Sequence, residues 1–413
     1  MTTICDSAAP KYKILIVAPF MHRHGHFSVF PVDLAKGFIA NGAEVTLLNP
    51  QRVATGHIYE PALETICLES ESHHFNIVMR WLWKRFKQHS LLISLAWLSM
   101  YIRPGSYDLV YWTDFNPDNQ QSTWPLGLAS LLGLYRHRTA FTEHHNFSWN
   151  KHRWQRLFKL DRIRLRNIEM FVHSKKLLDW IRLNMDWPDK GHFVPWGLWP
   201  TPANTEDRRQ ARVQLGIAEN ARVLLVFGLQ AIRRKQIDTL ADAIRGLSLE
   251  KPLVILFAGV QVEDAPHPFK HPELTEKHNL QVQHHTAFIE DDAVKALFAA
   301  ADGVWAYYGF FMGASGVLAQ AISFGRMSIC ASTGESNEIC NNYHVGVSTP
   351  TDDLDGVKAV ISRFINMDAS EQVRMETAAI EASHTLAWPN TARQIMNISL
   401  AADSRKLGST PNT

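Results

Sequence analysis

Cysteine is scarce in this 413-residue chain, and the four present (Cys5, Cys67, Cys330 and Cys340) show no CxxC spacing. That argues against a zinc ribbon or a dithiol redox motif. Cys330 and Cys340 flank a turn-rich segment and could meet, with buried free thiols as the expectation. There is no HExxH, paired-cysteine or DxD-like cluster, so nothing in the sequence argues for a bound metal. The longest apolar stretch, residues 91–102, falls short of the roughly 20 residues a membrane-spanning helix requires. No charged start followed by an apolar run precedes the first apolar strand, so no secretory signal is read and a cytoplasmic location is expected.

What is present fits a globular protein: 46% apolar and 20% charged residues. The length suits two domains rather than one core. A net charge of +2 conceals an asymmetry. Residues 1–200 hold 23 Lys and Arg against 16 Asp and Glu, a balance of +7, whereas the remainder holds 19 against 24, a balance of −5. A basic half suits an anionic surface or a phosphate-bearing ligand.

Short apolar runs with β-branched residues alternate with helical patterns. Residues 11–19 read as a strand, 32–41 as a helix and 44–48 as a second strand, a βαβ opening that implies parallel strands. Residues 108–112, 138–142 and 170–173 read as later strands of the same sheet. A second series follows: strands at 222–227, 253–258, 281–284, 303–307 and 326–331, with helices at 236–247, 291–301 and 316–324. Two βα series predict an α/β protein with two Rossmann-like doubly wound domains facing across a cleft. The joint falls in WGLWPTPANT (196–205). The expected parts are residues 1–199, 200–384 and a terminal segment, 385–413, with a helix and a frayed tail.

Segments along nearly the whole chain resemble the GT-B glycosyltransferases. The second half is similar to the large bacterial glycosyl transferases group 1 family, in GLQAIRRKQIDTLADAI (228–244), HTAFIEDDAVKALFAAADGVWAY (285–307), FMGASGVLAQAISFGRMSICAST (311–333) and ESNEICNNYHVGVSTPTDD (335–353). FVPWGL (193–198) resembles the family's V-P-N-G linker, with Trp196 for asparagine, and TLAWPNTARQIMNI (385–398) its terminal helix, which returns to the first domain. The resemblance implies transfer of a sugar from a nucleotide-diphosphate sugar, with the first domain binding the acceptor and the second the donor, and with no cofactor or metal.

A donor diphosphate needs backbone N–H groups at a helix N-terminus and a nearby cation. The resemblance assigns the first to Gly313, Ala314, Ser315, Gly316 and Val317, and the second to Lys235, which matches the family's lysine, with Arg233 or Arg234 in place of the family's arginine, which is missing because Leu229 follows Gly228. The family's paired glutamates fall on Met312 and Gln320; Gln320 retains hydrogen-bonding capacity toward a ribose, and Met312 has no acidic function. Glu338 matches the family's P-E, and Glu335 or Glu338 is a candidate to reach the sugar. For acid–base chemistry the candidates are His26, in the Gly-His position of inverting relatives, His144, matching the histidine that retaining relatives place beside the donor sugar, and Asp114 as an orienting acid or alternative base. His22 and His24 are competitors of His26. The missing acids favour direct displacement with His26 as base over the retaining route. A non-catalytic sugar-nucleotide-binding or scaffold protein of the same fold is the alternative, favoured by Met312; an epimerase is another.

Residues 77–103 read as one basic, tryptophan-rich amphipathic helix, with Arg80, Lys84, Lys87 and Gln88 on one face and Val78, Trp81, Leu82 and Phe86 on the other. Residues 151–166 add a second basic stretch. Together they suggest a peripheral membrane surface presenting a lipid-linked acceptor; no motif accompanies them that would suggest nucleic acid.

Overall fold

Runs such as KILIV, LVYW and LVILFA are apolar on both sides of the pleat, and such strands are stable only where both sheet faces are covered. The chain meets that requirement twice. The computed structural model describes residues 12–22, 26–52, 61–114, 129–130, 132–144, 168–184, 191–262, 266–287, 289, 291–309 and 314–401. The chain divides into two compact units, Met1–Gly197 with Trp388–Thr413, and Leu198–Ala387.

In the first unit β1 (Lys13–Val17), β2 (Glu44–Asn49), β3 (Glu64–Cys67), β4 (Leu109–Trp112), β5 (Thr139–Glu143), β6 (Ile168–Val172) and β7 (Gly191–Phe193) form one sheet in the order β3-β2-β1-β4-β5-β6-β7. Every pairing is parallel, with Ile14 opposite Val45 on one side and Leu109 on the other. Strand order therefore reverses between β1 and β4. Helices α1 (His26–Ala40), α2 (Ile77–Phe86), α3 (Ser90–Tyr101) and α4 (Lys175–Asn184) accompany it.

The second unit pairs β8 (Arg222–Phe227), β9 (Leu253–Ala258), β10 (Leu280–His285), β11 (Gly303–Ala306), β12 (Met327–Ala331) and β13 (Gly346–Thr349) in the order β10-β9-β8-β11-β12-β13, again all parallel. Its reversal lies between β8 and β11. Its longer helices are α5 (Thr205–Gln214), α6 (Ile237–Arg245), α7 (Asp291–Ala300), α8 (Gly316–Ser323), α9 (Gly334–Tyr343), α10 (Leu354–Asn366) and α11 (Ala369–Thr385). A buried ion pair pins the start of β8: Arg212 donates to Asp302 at 2.8 Å and to the carbonyls of Ala300, Glu219 and Ala221. With its donors occupied, the guanidinium tolerates burial.

The last helix, α12 (Trp388–Leu400), belongs to the first unit and packs on α1. Gly37 permits the approach, since a Cβ there would lie 2.9 Å from the Trp388 carbonyl oxygen and 3.0 Å from Ala392 Cβ. Asn41 Nδ2 donates to Pro389 O at 2.8 Å, and Arg393 Nε to Asn41 Oδ1 at 2.9 Å.

Two helical expectations are corrected. The helix expected from Val32 begins at His26 and carries Pro31 inside it, so His26 opens α1 rather than lying in a loop. The single helix expected over 77–103 is two, because α2 closes at Lys87, whose N–H donates to Trp83 O, and the His89 N–H turns back to Phe86 O. The face assignment changes too. Met79, Leu82, Trp83 and Phe86 pack into the core, whereas Ile77, Val78 and Trp81 are exposed beside Arg80, Lys84 and Arg85. Residues 151–166 lie outside the described residues. Among the described residues no helix is long and apolar enough to cross a membrane.

Gly197 ends the first unit against Trp388, and a Cβ there would fall within the indole. Gly197→Ala is expected to destabilise the first unit by about 1–3 kcal/mol, as overpacking does, read as a lowered urea midpoint.

Candidate functional site

In parallel sheets ligands bind beyond the strands' C-terminal ends, where strand order reverses. Each unit has one such place.

In the second unit β8 runs into Gly228, held at φ +87°. Gln230 fixes this loop to its neighbour by donating from Nε2 to the carbonyls of Val226, Gly228 and Ala258. Beyond it Lys235 turns inward: it is 4% exposed, and its ammonium donates to Phe227 O. Trp305 Nε1 donates to Lys235 O at 2.8 Å, anchoring the backbone to β11. A Cβ on Gly228 would stand 3.8 Å from both Lys235 Nζ and Val317 Cγ2, so these three residues converge.

On the other side of the reversal Tyr308 follows β11. Lys235 Nζ lies 5.5 Å and the Arg234 guanidinium 5.7 Å from its ring centroid. Ser315 Oγ donates to Tyr308 Oη at 3.2 Å and accepts from Leu318 N at 3.2 Å, capping α8. The Ala319 N–H goes to Ser315 O, which leaves Gly316 and Val317 with the open N–H groups at this helix start among the described residues. Nothing lies within 4 Å of a Cβ placed on Gly316. Open donors, a helix dipole and a cation make an anion site.

Of the three cation candidates, only Lys235 is buried. Arg234 is exposed but reaches Tyr308; Arg233 is exposed and its carbonyl accepts from Gln236. Ala314 is half-buried beside Ser315, and Gln320 lies one turn along α8, half-buried. Met312 and Gly313 lie outside the described residues. Glu338, on α9, is half-buried, while Glu335 in the first turn of that helix is buried. Gly228 and Tyr308 were not singled out from sequence; their signals are a glycine after a buried strand and an aromatic pair before Gly309. Cys330 and Cys340 are buried free thiols with Sγ atoms 3.1 Å apart.

In the first unit the chain beyond β4 and β5 brings Asp114 and His144 to one small cavity, lined also by Phe20, Phe27, Phe30, Pro31 and Thr113. His144 Nε2 donates to Thr113 O at 3.0 Å, and its ring meets Phe30 edge-on at 4.5 Å. Trp196 packs on His144, His173 and Phe30 at 5.0–5.4 Å, and Trp388 backs Phe30 at 5.3 Å. His173 donates from Nδ1 to Val194 O, and burial pulls it down to about 4, so it is neutral. His26 opens α1, two positions before Ser28; its side chain, like all of His24, lies outside the described residues.

Burial, reinforced by Arg234, pulls the Lys235 ammonium from 10.5 down to about 7. The unfolded chain therefore binds the extra proton between about pH 7 and pH 10.4, and stability rises with pH across that window. Below pH 7 the buried charge costs on the order of 4 kcal/mol. Lys235→Met is expected to raise unfolding stability below pH 7 and to lose that advantage toward pH 10, measured by urea unfolding across the range.

No family model matches the chain, and no curated protein matches it. Solved structures do. Sucrose-phosphate synthase from Thermosynechococcus elongatus aligns over 96% of this chain and 100% of its own at 15% identity, with a TM-score of 0.64. Anabaena HepE in complex with UDP-glucose aligns over 94% and 99% at 14% identity and TM-score 0.63. The catalytic domain of starch synthase IV from Arabidopsis thaliana, bound to ADP and acarbose, aligns over 96% and 100% at 14% identity and TM-score 0.66. Across their whole length, these two parallel-sheet units have the α/β fold of the GT-B glycosyltransferases.

Proposed function

We propose that the protein transfers a hexosyl group from a nucleotide-diphosphate sugar to a glycan or lipid-linked acceptor. The observation that carries this reading is the β8/β11 reversal, where buried Lys235 and the open N–H groups of Gly316 and Val317 converge at Gly228. That combination suits a diphosphate leaving group, whose charge the lysine and helix dipole neutralise without a metal. Docking a diphosphate beside a lysine poised near pH 7 also draws in a proton, which strengthens the pair. HepE, a structural neighbour, binds UDP-glucose.

The first unit takes the acceptor in this reading. The new bond joins an acceptor oxygen to the sugar's anomeric carbon, the bond to the diphosphate breaks, and the hydroxyl proton passes to a base. His26 is that base, on the helix whose Phe27 and Phe30 line the cavity with Asp114 and His144. Gln320 and Glu338 complete the donor side through the ribose and sugar hydroxyls. The exposed Ile77, Val78 and Trp81, set among Arg80, Lys84 and Arg85, suit an anionic membrane on the cytoplasmic face, the source of a lipid-linked acceptor in surface polysaccharide or glycolipid synthesis.

Calorimetry and transfer assays with UDP-, GDP-, ADP- and dTDP-sugars test the reading. One donor is expected to bind, and Lys235→Met to weaken it by about tenfold or more, the scale of a lost charge-assisted hydrogen bond. Binding of none would overturn it; binding without transfer to any acceptor would favour a scaffold. Flotation on phosphatidylserine vesicles is expected to fall sharply in Trp81→Ala and in Arg80→Glu/Lys84→Glu; unchanged flotation would remove the membrane from the account.

A further inference from the structure

Glu335 stands in the first turn of α9, just past the C-terminal end of β12. It is 2% exposed, and neither carboxyl oxygen has a hydrogen-bond partner. A first-turn glutamate ordinarily faces water and favours its helix as an anion. This one is buried instead. Burial pushes its carboxyl well above the usual range, and the Glu338 carboxylate on the same helix pushes it further. The opposing influence is the Ser315 backbone N–H, which approaches the carboxyl without closing a hydrogen bond.

Ser315 is the residue from which the anion site unfolds. Its hydroxyl caps α8 and holds Tyr308, and the two N–H groups that follow it are the open ones among the described residues. A carboxyl beside that residue's backbone N–H is placed to act on the turn that carries those donors. An ionised carboxylate there would repel a diphosphate, whereas a carboxylic acid adds no negative charge. Buried polar groups without partners are rare and costly, and where they persist they mark positions retained for a task other than stability.

We propose that Glu335 is a positioning residue of the donor site, its buried and unpartnered carboxyl set beside the Ser315 backbone so that Gly316 and Val317 present their N–H groups to the diphosphate of a nucleotide sugar. The proposal rests on the donor-site reading above. It assigns an acidic side chain to the phosphate end of the site, from a helix other than the one supplying the N–H groups. Glu335 acts through Ser315 and makes no contact with the reacting atoms.

The test compares wild type, Glu335→Gln and Glu335→Met, titrated calorimetrically with UDP-glucose, ADP-glucose, GDP-mannose and dTDP-glucose, with the melting temperature of each free protein measured alongside. Gln has the shape and hydrogen-bonding capacity of the neutral acid; Met has the shape alone. Gln is expected to stay within threefold of wild-type affinity for the donor that binds. Met is expected to lose tenfold or more while melting at a higher temperature than wild type. Equal loss in Gln and Met would show that an ionised carboxylate is required and would overturn the proposal. So would unchanged affinity in Met, or a Met variant that loses affinity and melting temperature together, the behaviour of a packing residue. Binding of none of the four donors by wild type would overturn the donor-site reading itself, and this proposal with it.

Discussion

Parallel pairing is the constraint on which the rest depends. In a sheet whose strands all run one way, the chain must return by crossovers, and every strand ends on the same edge. Where successive crossovers leave on opposite sides, two neighbouring strands send their following loops apart, and the backbone between them is open. The first unit has this at β1 and β4, the second at β8 and β11. Asp114 and the cavity of His144 lie at the first, Gly228, Lys235 and Tyr308 at the second. The fold thus sets the place, and the loops supply the chemistry.

The second place is built at a cost in stability. Lys235 is a buried cation whose ammonium is satisfied by a single backbone carbonyl, and Glu335 is a buried acid with no partner. Neither arrangement is what burial alone would select. The buried Arg212–Asp302 pair in the same unit is the contrast: its guanidinium meets a carboxylate and three carbonyls, and it serves the core. The fully bonded pair holds the scaffold, whereas Lys235 has one carbonyl and the Glu335 carboxyl has no hydrogen-bond partner.

The central strands were legible in sequence because each is apolar on both faces. Strands β3, β7 and β13 were not, because they lie at or next to sheet edges, are three or four residues long and keep only part of their surface buried. Helical periodicity persists through residues 86–90, so the break between α2 and α3 left no mark in the pattern. The glycine-serine turn and the cation run were visible, but which cation turns inward was not. Arg233, Arg234 and Lys235 are adjacent, and only the fold decides that Lys235 meets the Phe227 carbonyl. Tyr308 and Glu335 act through approaches to Ser315 made across the ends of β11 and β12, and no local pattern encodes such an approach.

The account turns on one claim: that the helix start after Ser315 is where a donor's diphosphate is held. Crystallography of the protein with a bound nucleotide-diphosphate sugar tests it most directly. The account predicts diphosphate oxygens within hydrogen-bond distance of the Gly316 and Val317 N–H groups, with the Lys235 ammonium turned from Phe227 O toward them. A nucleotide bound elsewhere, with both N–H groups still open and Lys235 still on Phe227 O, would contradict it.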